Sequence, residues 1–314
     1  MLVPITDFDI VFMSLDEPNA DTNYADLQTK APWAKRIHGV YGSDACHKAA
    51  AKVAETDRFI TVDADNIVHE DFFSLELDMS KIGKHDVVSW AGKNVINGLV
   101  YGNGGIKMWP KHVVEQMKTH EAADDPKAQV DFCWDIYYHQ MNNIYCDVHN
   151  NGSAYQAYRA GFREGVKLTL EGGVTVDPRL IKERVHDRNY KRMLVWSSVG
   201  ADVQNGLWAM FGTRMGAYLT NLAKDSFDFG PVMAQSKSLL GNPKIPALSF
   251  GTIPAGAFKT PTSAEVTAYD KLKVELSTQE DLQFDLRKSY LDLKTLNGPD
   301  DSATTTAYAA WQDN

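Results

Sequence analysis

The amino-acid sequence predicts an α/β protein in which a mixed sheet is sandwiched by helices and is followed by a mainly helical region. Short apolar runs that end in polar residues alternate with helical patterns through the first half of the chain, as is typical of this class. After about residue 176 the patterns are helical only. The 314 residues are enough to bury a large core. We therefore predict an α/β domain over residues 1–176 and a mainly helical region over residues 177–314.

The first predicted elements follow the helix-then-strand order of an α/β sheet. Apolar runs such as DIVFMSL predict the strands, and Pro18 and Asn19 in a polar loop end the first of them. The Ala-rich run that begins near Ser43 predicts a helix. We expect strands at residues 9–15, 34–40 and 59–62, a loop at residues 16–21 and a helix at residues 43–54.

The later elements are predicted from the same patterns. We expect a strand at residues 86–91 and a hairpin with a glycine-rich turn at residues 99–109. Helices are expected at residues 111–119 and 132–140, a strand at residues 143–148 and a long helix at residues 154–168. Beyond residue 176 we expect helices at residues 178–193, 205–223 and 261–296. An irregular segment is expected at residues 242–262 and a frayed end at residues 298–314.

Composition excludes several classes of protein. The net charge of −9 disfavours nucleic-acid binding except through a local basic patch. No apolar run is long enough to span a membrane, and the amino-terminal residues predict a strand rather than a signal peptide. The three cysteines, Cys46, Cys133 and Cys146, form no C-x-x-C pattern, so we expect neither a zinc site nor a disulfide framework. These features favour a cytoplasmic location.

The sequence RFITVDADNIV places two carboxylates, Asp63 and Asp65, at the end of an apolar strand. Such a pair at the carboxyl end of a buried strand provides oxygen ligands for Mg²⁺ or Mn²⁺ and leaves coordination positions open for phosphates. An isolated D-x-D is also common as loop or capping chemistry. Its position after a buried strand favours the metal site, and the placement resembles the DxD motif of GT-A glycosyltransferases.

Two other segments, the loop at residues 16–21 and the helix start at residues 42–48, are predicted to meet Asp63 and Asp65 at the same sheet edge, where open α/β sheets bind ligands. Asp16 and Asn19 are candidates for the base of a nucleotide, with Tyr24 or Trp33 stacking on it, although turn chemistry and packing explain these residues equally well. Lys48, near a helix amino terminus, suits a diphosphate, or is an ordinary surface lysine. The glycine-rich turn with Asn103 and Gly104 permits close approach to a ligand, or is a tight turn alone.

Two acidic residues and one histidine complete the predicted site. Asp131 and Asp135 lie four residues apart and therefore on one face of the predicted helix. Asp135 is the preferred catalytic base of an inverting reaction, and Asp131 is either a second candidate or a helix cap. His149, at a strand end, is the candidate third metal ligand, which favours Mn²⁺ over Mg²⁺. A structural role for a lone histidine is the alternative.

A basic segment over residues 177–192 is the candidate nucleic-acid contact. Six basic residues stand against three acidic ones, which gives the segment a net charge of +3. A solvated helix face with ion pairs four residues apart explains the same pattern. The basic residues are Arg179, Lys182, Arg184, Arg188, Lys191 and Arg192.

Several blocks, among them FMSLDEPNAD, FITVDADN, NGLVYGNGGIKMWP and HNNGSAYQAYRAGFREGVKL, together resemble a GT-A-like glycosyltransferase family of tailed bacteriophages. The resemblance covers about residues 9–170 and implies a Rossmann-like catalytic domain that binds a nucleotide sugar. It further implies a UDP-sugar donor, arabinose being one candidate sugar, and 5-hydroxymethylcytosine in phage DNA as acceptor. In this reading Asp63 and Asp65 contact the donor and the metal, Asp16 and Asn19 contact the base or ribose, and His149 is a candidate ligand.

Other functions stay open at this point. A glycosyltransferase with a glycan or small-molecule acceptor would carry the same motif. A nucleotidyltransferase also pairs carboxylates around metals, but the loop DEPNAD lacks the glycine-rich basic signature that such enzymes usually have after the first strand. A non-catalytic phage structural or interaction protein is the alternative outside enzymology.

Overall fold

The computed structural model describes residues 1–101, 105–119, 122, 138–176 and 180–221, and these form an α/β structure. They divide into two compact units. The first comprises residues 1–95 and 100–149, and the second comprises residues 96–99 and the described chain from Asn150 onward. The long helix after Asn150 therefore lies in the second unit, whereas the functional boundary predicted at residue 176 stays a prediction.

An eight-stranded mixed sheet forms the centre of the first unit. Its strands are β2 (Asp9–Ser14), β3 (Lys35–His38), β4 (Arg58–Asp63), β5 (Asn66–Val68), β7 (Val87–Asn94), β8 (Val100–Tyr101), β9 (Ile106–Pro110) and β10 (Tyr138–Val148). Their order is β3-β2-β4-β9-β7-β10-β5, with β8 paired to β7. The pairs of β2 with β3, β2 with β4 and β7 with β10 are parallel, and the others are antiparallel. Strands β1 (Leu2–Pro4) and β6 (Glu76–Asp78) form a separate two-stranded sheet.

Helices cover both faces of this sheet, as predicted. Successive residues of β2 alternate between two apolar clusters. Ile10 and Phe12 pack in a cluster with Leu27 of α1 (Ala20–Lys30). The intervening residues Val11 and Met13 pack with residues of α2 (Ser43–Val53) and α3 (Lys111–Gln116) on the other face. The predicted α/β sandwich is confirmed at this level.

Helix α1 is the main element that the sequence analysis did not predict. Its buried residues are Ala20, Asn23 and Leu27, so that its inward stripe is narrow and includes a polar side chain. Such a helix gives a weak amphipathic signal. The last two residues of the predicted polar loop over residues 16–21 therefore belong to this helix.

The structure corrects two predictions in the middle of the chain. The helix expected over residues 132–140 is wrong at its end, because Tyr138–Val148 is a strand that pairs in parallel with β7. Residues 131–137 lie outside the described part of the chain. In the expected hairpin over residues 99–109, β8 pairs with β7, and β9 pairs with β4 and β7, so the described residues show no β8–β9 pair.

In the second unit, the described helices are α4 (Ala154–Leu168), α5 (Ile181–Arg184), α6 (Asp187–Trp196) and α7 (Gly206–Asn221). The single helix predicted over residues 178–193 is wrong, because two helices occupy this part of the chain. Val185 is extended between them, and the His186 side chain caps α6 by accepting a hydrogen bond from the Arg188 amide. None of the helices in the described ranges has the length and apolar character needed to cross a membrane.

Helices α4 and α7 pack with their backbones unusually close. A Cβ added at Gly161 or Gly165 would lie 1.9 or 2.1 Å from a carbonyl oxygen of α7. A Cβ added at Gly212 or Gly216 would lie 2.1 or 2.3 Å from a carbonyl oxygen of α4. Two glycine pairs, each spaced by four residues, therefore allow this contact because any side chain would separate the helices.

Candidate functional site

The candidate site lies at the carboxyl edge of the parallel strands, where the chain direction across the sheet reverses. From β2 the chain passes through α1 to β3 on one side, and α2 then carries it back past β2 to β4 on the other side. This is a topological switch point, which is the common ligand-binding position of open α/β sheets. Met13 pairs with Asp63, so the segments that follow β2 and β4 leave the sheet together.

The Asp63–Asp65 segment forms a turn between β4 and β5. The Asp63 amide donates to the Gly105 carbonyl oxygen at 3.0 Å, which holds the end of β4 against the start of β9. Antiparallel pairing of Asn66 with Val148 places His149 beside Asp65, and the His149 amide donates to the Asp65 carbonyl oxygen at 2.6 Å. The structure therefore brings Asp63, Asp65 and His149 to one edge, as the sequence predicts.

Two asparagines, Asn19 at the amino-terminal cap of α1 and Asn23 within α1, tie the start of the helix to this turn and to the neighbouring His149. The Asn19 Nδ2 donates to the His149 carbonyl oxygen at 2.9 Å, and the Asn23 Nδ2 donates to the Ala64 carbonyl oxygen at 2.8 Å. Asn19 was predicted as a nucleotide contact, and its amide group donates to the backbone beside the turn, at His149. Asn23 was not predicted, although its spacing of four residues from Asn19 would place both on one face of a helix.

Asn66 orients the Asp65 carboxylate, and the sequence analysis did not identify it. The residue is 2% exposed, and its Nδ2 donates to Asp65 Oδ1 at 2.9 Å and to the Asp63 carbonyl oxygen at 3.3 Å. Its own Oδ1 is buried and accepts no hydrogen bond from the described part of the chain. Gly105, with φ +88°, leaves room for this amide, because a Cβ there would lie 2.2 Å from Nδ2.

Carboxylates near the turn influence the buried thiol of Cys146 in β10. Burial raises the pKa of the Cys146 thiol, and the nearby carboxylates of Asp65, Asp147 and Asp63 raise this pKa further. Lys107 opposes them. These three carboxylates therefore lie close enough to one buried group, the Cys146 thiol, to act on it together.

The described part of the structure contains no complete set of three protein ligands for a metal ion. Within the described ranges, no three side chains of His, Cys, Asp or Glu are grouped so that they could hold a metal ion. The predicted set of Asp63, Asp65 and His149 is therefore not assembled as a three-ligand cage. Mg²⁺ or Mn²⁺ bound together with a nucleotide requires fewer protein ligands, because one or two carboxylates and the phosphates of the nucleotide complete such sites. Two carboxylates on one fixed turn fit that chemistry.

The remaining predicted donor contacts have varied surroundings. Asp16 is exposed, two residues after the end of β2. Lys48 Nζ forms an ion pair with Asp44 at 2.6 Å on the first turn of α2. Tyr24 donates its hydroxyl to the Ala34 carbonyl oxygen, and its ring packs against Phe12 and the Arg36 guanidinium, so the ring serves packing within the fold. Four predicted site residues lie outside the described residues, as does one of the basic residues: Asn103, Gly104, Asp131, Asp135 and Arg179.

Arg36 is a cation near the switch point that the sequence analysis missed. Its guanidinium lies 5.8 Å from the ring centroid of Phe12 and 5.2 Å from that of Tyr24, and Nε donates to Ser14 Oγ at 2.9 Å. It also pairs with Asp21 at 2.8 Å. A charged residue in a short exposed-looking strand, KRIH, gave no signal of this role.

The basic segment is partly neutralised by its own neighbours. Arg184 forms a two-pronged ion pair with Glu171, with N–O distances of 2.7 and 3.2 Å, and Lys191 pairs with Asp187 at 3.1 Å. Lys182 and Arg188 are exposed, and Arg192 is half-buried. The predicted continuous basic helix face is therefore divided between α5 and α6.

Comparison with known proteins adds no family assignment, because no protein-family model, curated protein or solved structure matches this chain.

Proposed function

We propose that this chain is a nucleotide-sugar-dependent glycosyltransferase with a GT-A-like fold, and that the Asp63–Asp65 turn holds the metal–diphosphate end of a UDP-sugar. The observation that carries the proposal is the construction of this turn. Asn23 and the buried Asn66 hold the turn directly, Asn66 aligns the Asp65 carboxylate, and Asn19 holds the neighbouring His149. Such pre-organisation is what a site for a charged leaving group requires.

The chain's own groups are suited to a diphosphate. Asp63 and Asp65 would hold Mn²⁺ or Mg²⁺, which when bound supplies the positive charge that stabilises a departing diphosphate. Helix α1 begins at the same edge, and the dipole of its amino terminus favours an anion there. Asn19 and Asn23 position that terminus against the turn.

The acceptor and the base form the finer part of the proposal. Asp135 is our candidate for the base that removes the acceptor proton, with Asp131 as the second candidate. Hydroxymethylated cytosine in duplex DNA is the proposed acceptor, and the base would have to leave the stack to reach the site. The exposed Lys182 and Arg188 support a phosphate contact, while the net charge of −9 limits it to this segment.

Incubation of the full chain with Mn²⁺ and a panel of UDP-sugars tests the activity. Mass spectrometry of hydroxymethylated DNA should show the mass of one sugar per modified cytosine with one donor. Transfer to a glycan or small molecule, but not to DNA, would retain the enzyme class and reject the acceptor. Absence of transfer and of UDP-sugar hydrolysis with every donor would reject the enzyme class.

The DNA contact has its own test. Replacement of Arg184, Arg188 and Arg192 by Ala should weaken duplex binding and reduce its dependence on salt concentration, because fewer counterions are released. Lys48→Ala, a cation on α2 that is already paired with Asp44, is the control and should leave the salt dependence unchanged. An unchanged salt slope in the triple variant would exclude this segment as the DNA contact without affecting the transferase proposal.

A further inference from the structure

We propose that His85 and His112 form a binding site for one late transition-metal ion, Cu²⁺, Ni²⁺ or Zn²⁺, independently of the proposed function. The two residues lie at the amino-terminal edge of the parallel strands, away from the candidate site. His85 precedes β7, and His112 is the second residue of α3, directly after β9. Antiparallel pairing of Val88 with Met108 continues toward residues 85 and 111, which explains why the two histidines meet.

The two ring nitrogens are already close to the spacing of a chelating pair. His85 Nδ1 lies 2.8 Å from His112 Nε2, and the ring centroids are 4.9 Å apart at an angle of 72°. With metal–nitrogen bonds of about 2.0–2.1 Å, two tetrahedral ligands are separated by about 3.3 Å. Neighbouring ligands in a square plane are separated by about 2.9 Å. Small rotations of two exposed side chains bridge that difference.

The protons of the two imidazole rings can be arranged so that both rings bind one metal ion. In the metal-free protein one ring donates its N–H to the lone pair of the other across the 2.8 Å contact. When the ion binds, the proton of the donor ring moves to the other nitrogen of that ring. Each neutral imidazole then offers one lone pair to the ion and keeps one N–H, which bonds to solvent because both residues are exposed.

The loop that carries His85 is held firmly in place. The Gly83 amide donates to Asp86 Oδ2 at 2.7 Å, and the Asp86 amide donates to the Gly83 carbonyl oxygen at 3.0 Å. Arg58 donates to the Asp86 carbonyl oxygen at 2.8 Å, and His139 Nε2 lies 2.6 Å from Asp86 Oδ2. A fixed loop lowers the entropic cost of bringing the ring to an ion.

The helix that carries His112 is anchored to the same part of the sheet. The Lys111 amide donates to the Asp57 carbonyl oxygen at 2.9 Å, and Lys111 Nζ donates to the Ala54 carbonyl oxygen at 2.8 Å. Both histidines therefore project from backbones tied to the residues just before and at the start of β4. Their mutual approach is a property of the folded sheet.

The site should select metals by ligand chemistry. Among the described residues no third His, Cys, Asp or Glu joins the pair, so water would fill the other positions. Imidazole nitrogen favours Cu²⁺, Ni²⁺ and Zn²⁺, with Cu²⁺ strongest, whereas Mg²⁺ and Mn²⁺ prefer oxygen ligands. The metal preference therefore separates this site from the carboxylates at Asp63 and Asp65.

Calorimetric titration of the untagged, metal-stripped full chain with Ni²⁺ tests the proposal. His85→Ala and His112→Ala should each lower the Ni²⁺ affinity on the order of 100-fold, because the second arm of the chelate is lost. His38→Ala, which removes another exposed histidine, should leave the affinity unchanged, and excess Mn²⁺ should not compete. Thermal unfolding of each variant checks its fold, and Gln replaces Ala at either position if that variant is unfolded.

Electron paramagnetic resonance of bound Cu²⁺ provides a second readout. The wild-type spectrum should show coupling to two imidazole nitrogens, which each single variant loses. Equal Ni²⁺ affinity in the wild type and the double variant, or a Cu²⁺ spectrum unchanged by both substitutions, would overturn the proposal.

Discussion

Replacement of Gly105 by Ala should damage both the fold and the candidate site, for two separable reasons. Gly105 has φ +88°, and an L-residue in this region costs about 1–2 kcal/mol. The new Cβ would also lie 2.2 Å from the Nδ2 and 2.9 Å from the Cγ of the buried Asn66. Overpacking of this kind costs about 1–3 kcal/mol, so the total loss of unfolding free energy should be about 2–5 kcal/mol.

Gly39 provides the matched control for the backbone effect alone. It has φ +75°, but a Cβ there would have no atom within 4 Å. Gly39→Ala should therefore cost only about 1–2 kcal/mol in urea denaturation. The difference between the two variants measures the clash with Asn66, and Asn66→Ala should remove most of that difference when combined with Gly105→Ala. Equal losses for both single variants, or strict additivity in the double variant, would refute this reasoning.

Two further predictions concern helix packing and pH. Gly212→Ala places a Cβ 2.1 Å from the Tyr158 carbonyl oxygen, so it should lower the free energy of unfolding by about 1–3 kcal/mol in urea denaturation. Leu207→Ala, at a 53% exposed position of the same helix, is the control and should have little effect. Equal losses in the two variants would contradict the close packing of α4 and α7. The hydrogen bond from His139 holds the pKa of Asp86 below its ordinary value, so this carboxylate stabilises the fold above about pH 3.9 and loses that contribution as the pH falls through its lower folded-state pKa. Asp86→Asn should therefore lose less stability than the wild type when the thermal midpoint is followed from pH 6 to pH 3, and parallel curves would contradict the prediction.

The sequence was informative where buried strands carry the polar residues of the site. The apolar run before Asp63 is unmistakable as a strand, and strand-end logic also placed His149 at the same edge, where its amide meets the Asp65 carbonyl oxygen. The registers of β4 and β10 were not predictable, because they depend on pairings between residues far apart in sequence. The residues that orient the motif were missed for this reason.

Asn23 and Asn66 illustrate why the supporting contacts escaped prediction. Asparagine is usual in turns and at helix ends, so neither residue signals a buried role. Asn23 lies on α1, which is hard to recognise from the sequence because few of its residues are buried. Asn66 lies in a strand of only three residues. The paired glycines of α4 and α7 are visible in the sequence by their spacing, but the sequence does not say which helix each pair contacts.

Helix boundaries failed where local groups override periodicity. The spacing of apolar residues over 178–193 suits one helix, yet Val185 is buried in an extended conformation and His186 caps the next helix. Over 138–140 the strand is fixed by pairing with β7, a long-range contact that a helical pattern of aromatic residues cannot reveal.

The central claim is that the Asp63–Asp65 turn holds a metal-bound diphosphate, and UDP-dependent thermal stabilisation in the presence of Mn²⁺ tests it most directly. At 100 times its Kd a ligand adds about 2.7 kcal/mol of stability, which is a readily measured rise in the unfolding midpoint. We predict this rise for the wild type and for Asp147→Asn, a nearby carboxylate outside the turn, and its loss in Asp65→Asn. A wild-type rise that persists in Asp65→Asn, or the absence of any Mn²⁺-dependent rise in the wild type, would contradict the claim.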